Sequence, residues 1–543
     1  SLDEIISTLD KFQIISGLKV NYDKTEILRI GSLKNSDAKL YTQKNLKWTN
    51  NPAVLLGINV GTNLEDITKQ HFEKLITKIE NITKIWLSRQ LTLLGRIVIV
   101  KMLLASQFIY SFSVLPSPVP EQMKKIDSIL FEHLWSNRKH YIEKSIMFNS
   151  ISEGGLNMID IYSKNIAIKC KWIKKITDPN ANFFKNIVHY YIPNSSIWFW
   201  SGNLKVSDAF KFMIHQSLFW KSIIQAWCIY NYSIPNSYIE IYNQQIWYNS
   251  FILVGHKPIF NDYLNTKGIT YIKDLVNDDG HFMSVNDIVL KYGLNHNCIM
   301  ILNSIVDAVP QQWKMVIHTN HHNGDRNLQY VSNFQKAITS STISKFIYQT
   351  LVKEKAKSFS DRIIIKWSED ISTYVIDRTF LSNCFDWIIK STISPKHRAF
   401  QFKLIHRILV TNKMLHDWKL RDSNLCSFCN SQPETIVHML WECSAVQNLW
   451  TSLFQWLEQI TETNIQFNEK EVLLGIEDHT FLMYNALFIL TKQFIYSCRC
   501  RNMPLNFIAL RNNIQYYIKI EKYIAAKNNK IDYHNNKWAL LSI

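Results

Sequence analysis

Apolar residues recur at helical spacing from Leu2 to Ile15, with Ile5, Ile6, Leu9, Phe12 and Ile15 in phase and Ser16-Gly17 supplying a stop. The period then shortens. Leu18-Lys19-Val20-Asn21 and Thr25 to Ile30 alternate as short strands do, joined by Tyr22-Asp23-Lys24, and Val54 to Val60 is a further β-rich run with a bend expected at Gly57. From His71 to Leu87 and from Leu94 to Leu115 the helical period returns in two long segments, with a loop near Ser88 to Thr92 between them. Pro116, Pro118 and Pro120 end the second segment, because proline lacks the amide proton that a helix interior needs. A third helix over Met123 to Trp135 leads to the basic turn Asn137-Arg138-Lys139-His140, and Gly154-Gly155 marks a boundary.

Residues 156 to about 390 are rich in Trp, Tyr, Ile and Asn, with helical stretches, a small helix-turn-helix connector around Thr270 to Leu290, and no motif that chemistry alone assigns. Ser394-Pro395 is an N-cap and first-turn pair that predicts a helix running through roughly Val410. No repeat with the ~20 to 50 residue period of a solenoid is present. The pattern predicts a mainly α-helical chain after a short β-containing start.

Composition sharpens this picture. Glycine and proline number only 14 and 12 against an aromatic fraction of 13%, which disfavours turn-rich sandwiches and disordered tails. The 543 residues suffice for several domains, and the odd count of 9 cysteines, with no signal-peptide order at the start, argues against a disulfide scaffold. Ile97 to Leu115 approaches membrane-spanning length, but Lys101 interrupts it and Arg96 and Pro116 flank it, so a buried helix is expected and no membrane partner. Ser1 is not an initiator Met and the helical pattern is already under way at Leu2, so the chain reads as a fragment.

The most specific chemical signal is Cys426-Ser427-Phe428-Cys429, then eight residues, His438, four residues and Cys443. Two cysteines two residues apart form a knuckle that chelates one ion, and His438 with Cys443 lies about one turn along a following helix, so the set closes a tetrahedron suited to structural zinc. A redox Cys-x-x-Cys opens a helix after a strand, whereas this pair sits in a loop of Ser, Asn, Gln and Pro. A closed four-ligand site leaves no position for water, so its role is folding rather than catalysis.

The formal charge of +17 favours a polyanionic partner. Between Pro395 and Met414 the residues Phe402, Ile405 and Leu409 share one helical face while Lys396, Lys403 and Arg407 follow another, with Arg398 and His406 close by, a stripe able to track phosphates. Arg89, Arg96 and Lys101 border the apolar helix from residue 94 to 115 in the same way. Near the C-terminus Arg499, Arg501, Arg511, Lys519 and Lys522 alternate with Phe494, Tyr496, Phe507, Tyr516, Tyr517 and Tyr523, a mixture able to stack bases, although core packing is the expectation for most of these rings.

Three stretches resemble the reverse transcriptase encoded by the second open reading frame of LINE-type non-LTR retrotransposons. Ser16 to Thr25 looks like the family's post-catalytic palm motif, in which a lysine at the position of Lys24 lies near the incoming nucleotide. Leu55-Leu56-Gly57-Ile58 is similar to the primer-gripping hairpin, with Leu55 where Tyr is usual. Trp86-Leu87-Ser88-Arg89, Leu93 to Ile97 and Val100-Lys101-Met102 look like the thumb helices that clamp the primer-template, and Pro116 to Pro120, Trp135, Lys144-Ser145 and Gly154-Gly155-Leu156 continue the likeness. His397-Arg398 to His406-Arg407 and the Cys-Cys-His-Cys spacing resemble the C-terminal zinc segment, thought to engage RNA.

The resemblance implies the end of a palm over residues 1–62, thumb helices over 63–155, a helical linker region over 156–390 and a helical, zinc-containing C-terminal domain over 391–543. It implies RNA and RNA–DNA or DNA primer-template as partners, Lys24, Arg89, Arg96, Lys101, Lys396, Arg398, Lys403 and Arg407 as nucleic-acid contacts, and a ribonucleoprotein of nucleus and cytoplasm. The family's magnesium-binding aspartates are expected N-terminal to Ser1, so magnesium belongs only to the complete parent enzyme, and Asp278-Asp279 reads as a polar loop. This chain alone is expected to be inactive. An alternative is a stand-alone zinc-stabilised nucleic-acid-binding or scaffold protein derived from such an enzyme.

Overall fold

The computed structural model describes residues 2–30, 46–49, 52–136, 140–180, 182–193, 195–320 and 330–541, so Asn137, Arg138 and Lys139 of the basic turn expected at 137–140 lie outside the described residues. The chain is mainly α-helical, and its strands are short and paired two by two. Leu2–Ser16 is a helix, as its period predicts, but Leu18 to Asn21 is not a strand. Only Glu26–Leu28 is extended there, pairing in parallel with Lys47–Thr49. Asn21 is withdrawn from any ladder because its side chain accepts from the Lys24 amide and caps the turn Tyr22–Lys24.

Ala53–Leu55 and Ile58–Val60 form an antiparallel hairpin in which Leu55 opposes Ile58. Its two-residue turn, Leu56-Gly57, needs positive φ at both positions, 49° and 80°, a conformation that glycine adopts freely and leucine only under constraint. Helices follow over Leu64–Leu87 and over Leu93–Val114, the latter with a wide π segment from Val100 to Ala105. By length and composition Leu93–Val114 is the one described helix that could cross a membrane.

The chain divides into two compact units that interleave along the sequence. The first comprises residues 1–82, 105–129 and 160–352. Phe72, Phe108 and Phe112 stack together within it, and the Ile161–Thr177 helix, capped by Asp160, packs on Leu218–Asn231. Residues 160–352 hold a dense aromatic core with Trp200, Trp247 and Tyr248 fully buried. The abundant amides serve that core. Asn231 Nδ2 donates to the Gly202 carbonyl at 2.8 Å, and Gln245 Nε2 donates to the Trp198 and Trp247 carbonyls at 2.8 and 2.7 Å, so side-chain amides tie buried backbone carbonyls together.

The second unit comprises residues 83–104, 130–159 and 353–543. Helix Arg378–Ser391 packs on Pro395–Ile405 and on Leu482–Arg501. The Gly154-Gly155 pair is a packing requirement here: a Cβ on Gly155 would collide with the Asn149 carbonyl, and the Gly154 carbonyl faces the buried His406 Nε2 at 2.7 Å.

Lys169 is fully buried in the first unit, where its ammonium donates to the Leu115 carbonyl, and burial pushes its pKa down to about 7. An unfolded lysine titrates near ~10.4, so between these values the unfolded chain holds the extra proton and stability rises with pH. Urea unfolding at pH 7.5 and 9 should show a gain approaching ~1.4 kcal/mol per pH unit from this residue, and Lys169→Met should flatten the dependence by that amount.

Candidate metal centre

The knuckle is built by the chain's own amides. The Cys426 amide donates to the Gln432 carbonyl at 2.8 Å and the Cys426 carbonyl accepts from the Asn430 amide at 3.0 Å, closing a tight loop in which Asn430 takes φ 52°. The Phe428 amide points at Cys426 Sγ, 3.4 Å away, an N–H dipole that favours sulfur in its thiolate form. Leu425 bridges to Pro433 at the base of the loop. The pair thus lies in a loop and not at the helix start that a redox motif requires.

His438 and Cys443 come from a single π turn, His438–Glu442, in which the Cys443 amide donates to the His438 carbonyl at 3.0 Å. The spacing of five requires this. An α-helix would rotate the two side chains about 140° apart, whereas the wider π turn returns them to one side. The helix Ser444–Thr461 then continues with Val446 and Trp450 buried, and Trp450 Nε1 donates to the Leu440 carbonyl at 2.9 Å, fixing the turn to the core.

All four ligand atoms lie within 4.8 Å of one another. Cys426 Sγ and Cys443 Sγ are 3.8 Å apart, and Cys429 Sγ is 3.4 Å from His438 Nε2. Bonds of ~2.3 Å to sulfur and ~2.0 Å to nitrogen give a tetrahedron with S–S edges of roughly 3.8 Å and S–N edges of roughly 3.5 Å, so the spacing fits zinc. Three sulfurs and one imidazole also match zinc's ligand preference, and the four donors fill its coordination shell. The Glu442 carboxylate lies 3.8 Å from His438 Nδ1, the ring nitrogen that does not face Cys429.

Burial drives the Cys426 thiol up to about 12. At Cys429 burial pushes the same way, but hydrogen bonds from the Ser431 side chain and amide, the Gln432 amide and the His438 ring prevail and bring it down to about 5.

Beside the knuckle lies a buried ionic network that the sequence did not reveal. The fully buried Glu434 carboxylate accepts from the amides of Asn412 and Ser427 at 2.8 and 3.0 Å and pairs with Arg499 at 2.8 Å. Asn412 Nδ2 donates to the Leu425 carbonyl at 2.7 Å, while its Oδ1 accepts from Arg421 and Arg499, each at 2.6 Å. Glu434 is the one carboxylate between Cys429 and His438, a visible oddity in an otherwise neutral loop, but its partner stands 65 residues away.

The cations expected to form nucleic-acid stripes are dispersed. Pro395–Ile405 ends five residues before Val410, and it is enclosed: His397, Ala399, Phe400, Gln401, Phe402, Leu404 and Ile405 are all buried. Arg407 falls beyond the helix at φ 56°, stacks over Trp367 and pairs with Asp370. Arg398 donates to the Thr392 and Ile389 carbonyls at 2.6 and 2.9 Å, satisfying the orphan acceptors at the end of the preceding helix. These two arginines are thus engaged within the fold, and Arg499 likewise pairs with Glu434. Arg96 donates to the Leu134 carbonyl at 3.2 Å, and Lys101 and Lys403 are half-buried, the former with its pKa lowered by burial. Lys24, Arg89 and Lys396 are exposed, Arg89 lying over the Trp86 ring. Asp278-Asp279 sits in an exposed turn and joins no group of potential metal ligands among the described residues.

Residues 371–450 match a family model described as zinc-binding in reverse transcriptase. The match spans all four ligands together with Asn412 and Glu434, and it identifies this stretch as a zinc-binding region associated with reverse transcriptases.

Glu434→Gln should leave Arg499 buried without its counter-charge and destabilise the chain by about 3 kcal/mol, measured by urea unfolding. Because no ligand is altered, the variant should still carry one zinc per chain at saturating metal, whereas Cys443→Ser should lose it.

Proposed function

We propose that this chain is the post-catalytic part of a LINE-type reverse transcriptase, and that it binds RNA and RNA–DNA or DNA primer-template without itself polymerising. The observation that carries the proposal is the tetrahedral Cys426, Cys429, His438 and Cys443 group inside a region of reverse-transcriptase zinc-binding type. The likeness of residues 16–25, 55–58 and 86–102 to palm, primer-grip and thumb segments supports the finer assignment, and the paired positive φ angles of Leu56-Gly57 suit a tight hairpin tip. On this account zinc folds the C-terminal region, and Lys24, Arg89 and Lys396, which remain exposed, meet phosphates. The Leu93–Val114 helix is read as a core helix, since Leu93, Ile97, Leu104, Phe108 and Phe112 are all buried, and no membrane partner is proposed. The nucleus and the cytoplasm are the compartments such a ribonucleoprotein would occupy.

Binding of the purified chain to a fluorescent RNA–DNA duplex across a salt series tests this directly. Affinity should fall with salt at a log–log slope steeper than about −3, corresponding to at least four phosphate contacts at ~0.9 each. No dNTP should be incorporated with magnesium present. Incorporation, or absence of binding at low salt, would refute the proposal.

A further inference from the structure

The Phe507–Lys527 helix is two-faced in an unusual way. Leu510, Ile514, Tyr517, Ile518, Glu521 and Ala525 are buried and occupy one arc of about 100°. The opposite arc, also about 100° wide, carries Ile508, Asn512, Tyr516, Lys519, Tyr523 and Lys527, spaced at three and four residues as one longitudinal stripe. The adjacent tyrosines make the contrast plain. Tyr517 is buried and its hydroxyl lies 2.7 Å from that of Thr392, whereas Tyr516 and Tyr523 are 68% and 61% exposed.

Charge separates in the same way. The helix holds Arg511, Lys519, Lys522 and Lys527 against the single acid Glu521, and that acid faces inward, accepting from Lys537 at 2.9 Å and from Trp538 Nε1 at 2.7 Å. None of the helix's four cations pairs with a carboxylate among the described residues. Lys527 lies 4.8 Å from the Tyr523 ring centroid, so cation and aromatic form one unit.

We infer that the outward stripe of Tyr516, Lys519, Tyr523 and Lys527 is a docking platform for single-stranded RNA, the tyrosines stacking on unpaired bases and the lysines neutralising the phosphates between them. The rings stand ~10 Å apart along the axis, seven residues at ~1.5 Å each, with Lys519 between them. A duplex hides its base faces and could use only the lysines, so an unpaired strand is the occupant that satisfies both residue types. A lipid surface is the poorer fit, because the helix's continuous apolar side is already buried in the fold and the exposed arc has Ile508 as its one aliphatic residue beside Asn512, Lys519 and Lys527. The inference rests on the nucleic-acid reading above but places a second contact surface outside residues 371–450.

The test uses the full chain, with zinc content and circular dichroism as folding controls. A fluorescent unstructured RNA, an RNA–DNA duplex and anionic lipid vesicles are titrated against wild type, Tyr516→Ala/Tyr523→Ala, Tyr516→Phe/Tyr523→Phe and Lys519→Gln/Lys527→Gln. The alanine pair should weaken single-strand binding at least about ten-fold while duplex binding changes less than two-fold, and the phenylalanine pair should restore it. The lysine pair should reduce the single-strand salt slope by about 1.4, two contacts at ~0.7 each. Equal loss for the two nucleic acids, or unchanged RNA binding in the alanine pair, overturns the platform and leaves the general reading standing. Wild type that binds vesicles and neither nucleic acid overturns both.

Discussion

Three sulfurs and one imidazole nitrogen held within 4.8 Å of one another form a cluster that a cation at its centre would complete. Thiolates this close repel each other, and Cys426 and Cys443 are fully buried, where an isolated charge is costly. The surrounding structure is organised to make that convergence possible. The π turn brings His438 and Cys443 to one side, Asn430 closes the knuckle in a left-handed conformation, and the Phe428 amide is turned toward sulfur. Glu434, Asn412 and Arg499 hold the loop's backbone, so the knuckle is fastened to the Leu482–Arg501 helix by a buried ion pair in addition to the metal its ligands are placed to hold. Two independent tethers keep a loop with little apolar content in one conformation.

The same economy governs the positive charge. An excess of +17 suggests a broad basic surface, yet many of the cations do internal work. Arg398 caps carbonyls, Arg407 stacks on Trp367, Arg499 neutralises Glu434, and Lys169 and Lys492 each donate to a carbonyl inside a core. What is left for a polyanion is localised. It consists of exposed residues such as Lys24, Arg89 and Lys396, together with the outward stripe of the Phe507–Lys527 helix. Net charge thus indicates a class of partner, and the fold decides which lysines and arginines can meet it.

Local features were legible in the sequence. The metal ligands span only residues 426–443, so their spacing alone encodes convergence, and the Ser394-Pro395 cap and Gly57 turn are equally short-range. What escaped depends on partners distant in the chain. Periodicity gave no sign that residues 160–352 enclose a tryptophan core, because their short helices are joined by irregular segments whose amides satisfy the backbone. The interleaving of the two units, the early end of the helix at Ile405 and the pairing of Glu434 with Arg499 all arise from tertiary packing. Tyr516 and Tyr517 illustrate the limit: they are neighbours of identical chemistry, and only the position of the helix on its core sends one outward and the other in.

The account stands on the identity of the four donors, and zinc K-edge X-ray absorption on the full chain reads them directly. It predicts one zinc per chain with three sulfurs at ~2.3 Å, one nitrogen at ~2.0 Å and no oxygen from water. A first shell of oxygen and nitrogen ligands, or a purified chain that takes up no zinc, would contradict it.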